Sequence, residues 1–294
     1  MIDFTSAWEI EDGKYGRKLS LHVDWSDDIL EMVRSKGIQE LLLLKWGDPE
    51  WNSLDFLATV PWLKSFTLLG LLTKNIGGIH FLRELRSIYM GDYSKKPIDF
   101  SNFPLLRECR MEFCKGRISV TGCKNLELLS LQHYSYKDFS KLTSLTGLTT
   151  LDIAQGSLAD ISDIGAFWNL RDLKLVLLRN LKDISPLSHL GNIEELELEG
   201  SKGIENLNAL SGLTRLRRLN IANCGEIESL APLVGCESLQ ILKFSEDTNI
   251  RDGDLKVLMR IPNLKYVTLA NRRHYNLRRE EIPMFGAKYP SMQS

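Results

Sequence analysis

Between Leu181 and Phe244 the pattern L/I-x-x-L-x-L/I/F occurs three times, at Ile193-Leu196-Leu198, Leu216-Leu219-Ile221 and Leu239-Leu242-Phe244, each 23 residues after the last. Between these motifs apolar residues return every third position: Leu181, Ile184, Leu187 and Leu190, then Ile204, Leu207, Leu210 and Leu213, then Ile227, Leu230 and Leu233. A fixed period in the twenties marks a repeat architecture, in which one supersecondary unit is copied along the chain. Such a unit cannot bury its apolar side alone. Stacking neighbours joins those sides into one continuous core.

The phase set by this stretch can be followed in both directions. The first motif position falls at Ile38, Leu63, Leu85, Leu106, Leu126, Leu148, Leu170, Ile193, Leu216, Leu239 and Leu264, in steps of 20 to 25 residues. Three and five positions on from each stands another apolar residue, as in Leu41/Leu43, Ile88/Met90 and Val267/Leu269, with Cys109 the exception. Each motif predicts one short strand parallel to its neighbours, about 4.8 Å away. The returns are too short for regular α-helices, and their period of three suits 3₁₀ turns, where residues i and i+3 eclipse. Arg251–Arg260 is the one return that predicts a helical turn or two.

Residues 1–37 stand outside the repeat and predict an N-terminal cap. Phe4–Ile10 and Lys18–Val23 suggest two strands joined across Glu11-Asp12-Gly13, and Ser26 opens a short capped helix stopped by Gly37. Residues 38–270 carry the repeats. Residues 271–294 predict a C-terminal cap with a short helix near Leu277–Lys288, on which Arg272, Arg273, Arg278 and Arg279 form a solvated face beside Glu280 and Glu281. A single domain, 1–294, is expected.

Net charge of −1 removes the main argument for nucleic acid, since neutralising phosphates needs a basic surface. No apolar run approaches the roughly 18 residues of a membrane span. The opening MIDFTSAWEIEDGKYGRK shows no secretory pattern, and the five cysteines are irregularly spaced; both lead us to expect reduced thiols in a cytoplasmic protein, monomeric when free. Of the six tryptophans, Trp8, Trp25, Trp46, Trp51 and Trp62 sit in the first 62 residues and suggest cap core. No P-loop, Rossmann, nucleophile-elbow or HExxH pattern is present. The spacing Cys109-x4-Cys114-x8-Cys123 reads as buried structural cysteine before it reads as zinc. We expect no enzyme activity, cofactor or metal.

The pieces Asp183-Ile184-Ser185-Pro186-Leu187 and Ala231-Pro232-Leu233, with LSGL and ISDI, resemble the short-repeat leucine-rich class of bacterial internalins and a eukaryotic phosphatase regulator. The resemblance spans about residues 38–270 and implies an α/β fold. That fold is a right-handed, curved solenoid of about eleven repeats with a parallel sheet on its concave side, generally used to bind proteins. The asparagine that commonly ends the strand motif in this class is mostly replaced, by Trp46, Leu71, Tyr93, Cys114, Tyr134, Gly156, Leu178, Ser201, Cys224, Asp247 and Arg272. The backbone there must be satisfied in another way.

Alternation along each strand turns motif positions three, five and seven outward. These place Glu195, Glu197 and Glu199 on one strand beside Asp172 and Asp152, an acidic centre. Tyr89, Arg110, Phe113, Tyr134, Tyr266 and Arg218 have the character of interface hot spots. Against this, Asp152, Lys174, Glu197 and Lys243 share one column and can pair within the sheet, whereas the column neighbours of Glu199 are Val176 and Ala222. The outward leucines Leu42, Leu44 and Leu69 suggest coverage by the cap. The expected function is partner binding through the concave face, most concretely a bacterial immunity-type inhibitor that occludes a cognate toxin with a basic surface. The alternatives are a surface or host-interaction repeat domain and a regulatory subunit of an intracellular enzyme.

Overall fold

A computed structural model of the chain describes residues 7–44, 50–69, 72–91, 95–245 and 247–286. Phe4, Trp46, Leu71, Tyr93 and Lys288 lie outside the described residues. The chain divides into two compact units, residues 1–131 and 132–294.

In the first unit, β1 (Trp8–Asp12) and β2 (Arg17–Leu21) form an antiparallel hairpin. Its turn spans Gly13–Gly16, closed by a Gly13 N–H to Gly16 carbonyl bond of 2.8 Å, so it lies two residues later than the Glu11-Asp12-Gly13 signal suggests. Helix α1 (Asp27–Ser35) follows, with the Ser26 hydroxyl accepting from the Ile29 N–H and Gly37 left-handed at φ +65°. From β2 onward every pairing is parallel: β2 with β3 (Ile38–Leu43), β3 with β4 (Ser65–Leu69), β4 with β5 (Ser87–Gly91), and β5 with β6 (Glu108–Glu112). The next strand is β7 (Leu128–Tyr134).

The second unit repeats the plan. β8 (Thr150–Gly156), β9 (Asp172–Val176), β10 (Glu195–Glu199), β11 (Arg218–Ala222), β12 (Ile241–Ser245) and β13 (Tyr266–Thr268) pair in that order, all parallel and one residue to one residue. Each of β8 to β12 buries its second and fourth residues, and the three-residue β13 buries its second. Leu196 and Leu198 of β10 are inside, while Glu195, Glu197 and Glu199 turn out.

Most returns hold 3₁₀ turns, among them Asp55–Thr59, Ser185–His189 and Ala231–Gly235, and four also hold short parallel strands, Glu50–Ser53 paired with Leu72–Asn75 and Glu226–Ile227 with Asn249–Ile250. One local device starts many of them. A side-chain oxygen accepts the N–H two residues ahead: Asp99 from Ser101 (3.0 Å), Asp138 from Ser140 (3.0 Å), Asp160 from Ser162 (2.7 Å) and Asp183 from Ser185 (2.8 Å). This Asx turn fixes the backbone so that the residue between points inward; Phe100, Phe139, Ile161 and Ile184 are buried accordingly. Successive returns pack tightly enough that a Cβ on Gly235 would lie 2.0 Å from the Ser211 carbonyl oxygen. Arg251–Arg260 holds the expected helical turn, as a 3₁₀ turn at Lys256–Arg260, whereas the helix expected near Leu277–Lys288 is corrected: within the described residues the terminal segment holds only a 3₁₀ turn at Arg279–Glu281. Both sequences put glycine or proline close to the turn, which limits how far a helix can run.

The missing asparagines are replaced by a mixed set of groups. Cys224 Sγ donates to the Leu198 carbonyl (3.2 Å), Cys114 Sγ to that of Lys95 (3.0 Å), and Thr248 Oγ1 to that of Ile221 (2.8 Å). Arg117, with no exposed surface, donates from Nε to the Lys96 carbonyl (2.9 Å) and from a terminal nitrogen to that of Glu112 (2.8 Å). Just ahead of this position the chain turns through a left-handed residue at His133, Gln155, Leu177, Gly200 and Asn223, with φ between +54° and +65°. A different asparagine ladder also exists. Asn169, Asn192 and Asn263, each directly before a motif, donate to the carbonyls of Thr146, Trp168 and Glu237 in the preceding repeat at 2.7–3.0 Å, and Asn125 does the same to Pro104 at 3.1 Å.

Candidate functional site, the outward face of the sheet

The strand register makes the outward residues of the second unit into rows. One row runs Thr150, Asp172, Glu195, Arg218, Ile241, Tyr266; the next runs Asp152, Lys174, Glu197, Asn220, Lys243, Thr268; the third runs Ala154, Val176, Glu199, Ala222, Ser245. Nine of the expected partner-binding residues are thus brought together: Asp152, Asp172, Lys174, Glu195, Glu197, Glu199, Arg218, Lys243 and Tyr266.

Much of this charge is matched within the face. Glu197 accepts from the Asn220 amide at 3.1 Å and pairs with Lys174 at 3.5 Å; Glu195 pairs with Arg218 at 3.4 Å. Five carboxylates (Asp152, Asp172, Glu195, Glu197, Glu199) face three cations (Lys174, Arg218, Lys243), leaving two negative charges in excess. Asp172 lies among these charges and is partly buried. Burial pushes its carboxyl up, the Lys174 ammonium pulls it back, and Glu195, Asp152 and Glu197 push it up further, so it ends above the ordinary range. Lys174 ends high for the complementary reason: burial lowers it, but Glu197 and Asp172 more than compensate.

Tyr89 and Arg110 belong to the first unit, as register neighbours on β5 and β6. Tyr89 is 38 % exposed, whereas Arg110 leans on Glu108 at 3.4 Å. Three expectations about this face are corrected. Phe113 and Tyr134 are buried, Tyr134 with its hydroxyl donating to the Asp138 carbonyl at 3.0 Å; both follow the strand's turn inward and serve the core. Ile241 sits on the outward row but is only 1 % exposed, flanked in register by the long side chains of Arg218 and Tyr266. Glu112, Ser130, Ala154 and Ala222 are also buried, so the face is narrower than a count of outward positions implies.

One part of the face was not foreseen. The hairpin turn of the first unit reaches over its sheet. Lys14 Nζ and the Tyr15 hydroxyl both donate to Glu108, and the Tyr15 N–H donates to Glu40, which is only 7 % exposed. Glu108 also accepts from the Ser87 hydroxyl at 3.3 Å. The Glu108 carboxyl is pushed up by burial, but the Lys14 hydrogen bond and charge, with Arg110, hold it below its usual range. Outward glutamates at motif position three were legible in the sequence; the contact 94 residues away was not. Leu42, Leu44 and Leu69 are half-buried. Trp25 stacks on Phe56 with ring centres 4.3 Å apart, and the Trp62 ring N–H donates to the Ile38 carbonyl at 3.0 Å, all three rings half-buried at the edge of the core, while Trp8 is exposed.

Among the described residues no group of three or more histidines, cysteines or carboxylates is placed to hold a metal ion. Burial raises the thiols of Cys123 and Cys224 to about 11 and that of Cys236 to about 12, the direction that keeps a thiol protonated and inert. No described helix is long and apolar enough to cross a membrane.

No protein-family model matches the sequence, and no curated protein matches it. Solved structures do. An internalin (InlF) of Listeria monocytogenes superposes with a TM-score of 0.62 at 21% identity, over 86% of this chain and 75% of that one. Internalin C2 of the same organism gives 0.46 at 24% identity, over 73% and 84%. A leucine-rich repeat protein of Leptospira interrogans gives 0.43 at 16%, over 92% and 89%. The chain has the leucine-rich repeat fold: each repeat gives one short parallel strand to the main sheet, and most returns hold 3₁₀ turns, in an α/β solenoid.

Proposed function

We propose that this protein is a non-catalytic protein-binding module and that the outward sheet face of its second unit engages a partner with a basic surface. The observation that carries this reading is the excess of carboxylates over cations on that face, with Asp172 titrating high among them. A face whose charges are partly self-paired is already ordered, so a partner meets fixed hydrogen-bonding groups and loses little entropy in arranging them. Excess charge of one sign accelerates encounter with the opposite sign and weakens with salt. Internalins and other leucine-rich repeat proteins share the fold, and fold alone does not fix a partner.

Within this reading, the narrower form is an inhibitor of the immunity type, acting in the cytoplasm by covering a cognate toxin. The competing forms are a host-interaction domain and a regulatory subunit of an intracellular enzyme. The test uses the purified product of a neighbouring gene as the probe, with binding measured by titration calorimetry at two salt concentrations. Replacing Glu195, Glu197 and Glu199 with glutamine together should weaken binding at least tenfold and flatten its salt dependence. Unchanged affinity in a variant that keeps its circular dichroism spectrum would remove the acidic face from the mechanism.

A further inference from the structure

We propose that the cleft around Arg272, Arg273 and Arg278, beyond the last strand, is a binding site for a soluble phosphorylated small molecule. The cleft has a volume of about 340 Å³ and is lined by Asn271, Arg272, Arg273, Tyr275 and Arg278, with no carboxylate among them. That volume lies within the range of small-molecule sites.

The loop that carries these arginines is held firmly. His274 Nε2 lies 2.8 Å from the Ile250 carbonyl, and the buried Tyr275 hydroxyl accepts the Ile250 N–H at 3.0 Å while donating to Asn249 at 3.2 Å. Asn276 accepts the Leu255 N–H at 2.9 Å and donates to Asp254 at 2.8 Å; Asn271 accepts the Arg279 N–H at 2.9 Å. Arg272 also hydrogen-bonds to the Tyr275 hydroxyl. The backbone positions of the arginines are therefore set before any ligand arrives.

Two glutamates that follow in the chain are engaged by other groups. Glu280 is held by Arg279 at 2.7 Å and by Asn271 at 3.4 Å, and Glu281 accepts the main-chain N–H of Arg278 at 2.6 Å. Among the described residues, Arg273 and Arg278 make no ion pair. Arg272 and Arg273 also line a neighbouring cleft with Lys202 and His274, whose acidic members are engaged: Asp247 pairs with Lys202 at 3.5 Å, and Glu226 accepts from Asn249 at 3.0 Å.

The Arg273 and Arg278 guanidinium groups beside one space repel one another, and an anion entering it relieves that repulsion. A monovalent carboxylate satisfies one planar fork; a phosphate dianion offers three oxygens and can accept from two forks at once. The chemistry therefore selects a phosphoryl group. Its source is a free small molecule or a lipid headgroup, and we commit to the former.

The test titrates inorganic pyrophosphate into the full-length protein by calorimetry at low salt. It is repeated with Arg273→Ala/Arg278→Ala and with Arg251→Ala, an exposed arginine elsewhere that pairs with Glu205 at 3.7 Å. Saturable one-site binding, weakened at least tenfold by the double substitution and unchanged by Arg251→Ala, is the expected result. Acetate should not compete. The absence of saturable binding, or equal loss in both variants, would overturn the proposal. Binding only to vesicles carrying phosphoinositide, and not to pyrophosphate, would overturn the choice of a soluble ligand.

Discussion

The contact of Lys14 and Tyr15 with Glu108 and Glu40 yields a prediction whose size can be worked out from the geometry. Lys14 is two-thirds exposed (66% of its side chain), so its ion pair with Glu108 is discounted for solvent; removing the ammonium costs about 0.5–1 kcal/mol. Glu108 keeps Arg110 and Ser87 after that change, so its charge is not orphaned. Lys14→Ala should therefore open the turn about twofold to fivefold more often. Glu108→Lys is harsher, because it sets an ammonium against both Lys14 and Arg110 in a half-buried place. We expect about 2 kcal/mol, or roughly thirtyfold. The reporter is the Tyr15 amide, which donates to Glu40. Its hydrogen exchange should accelerate by these factors, and the charge-swapped pair Lys14→Glu with Glu108→Lys should recover much of the protection. A Tyr15 amide that exchanges freely in the unmodified protein, or that ignores Glu108→Lys, would refute the reasoning. The pH dependence follows from the signs. The Glu108 carboxyl titrates below its usual value, so its contribution is full above the ordinary glutamate range and fades as pH falls through the lowered value. Lys14 titrates above its usual value, so its contribution is full below the ordinary lysine range and fades as pH rises through the raised one. The turn should thus stay closed across neutral pH and loosen at both extremes.

Three further outcomes are expected. Asp172 is held above its ordinary range, so its charged form is disfavoured by folding and costs stability at neutral pH; Asp172→Asn should raise the midpoint of urea unfolding at pH 7, with the gain vanishing as pH falls below the aspartate range. Arg117→Leu leaves the Lys96 and Glu112 carbonyls without their donor in a buried place and should cost about 3 kcal/mol, read as a lower urea midpoint with an unchanged slope. Asp183→Ala removes the acceptor of the Ser185 N–H and should cost about 1 kcal/mol by the same assay, whereas Asp183→Asn should lose little, since an amide oxygen can take the same bond.

The leucine ruler predicted every main-sheet strand of the repeat region, though not the four short strands in the returns, because the identity of an inward position depends on little beyond its own unit and its two neighbours. The same locality made α1 legible, through Ser26 and Gly37, and the 3₁₀ returns, through the period of three. Asn169, Asn192 and Asn263 were legible too, as an asparagine recurring one residue before the motif. The acidic rows on β8 to β12 were visible as residue types, because alternation alone turns Glu195, Glu197 and Glu199 outward.

What the sequence did not show was how those charges meet. Whether Glu197 finds Lys174 and Asn220 on either side depends on a one-to-one register, which the two equal returns, 177–194 and 200–217, hold on both sides of the strand. The turn at Lys14 reaching Glu108, and the loop from Asn271 to Arg278 fastening itself to Asn249 and Ile250, join parts of the chain with no shared period. By itself, then, the sequence determined the repeat, its inward core and which charges face out, since these follow from local apolar spacing. Only the tertiary structure decided which charges are matched, which end of a sheet is covered and where three arginines gather, because those outcomes rest on side chains brought together from distant units.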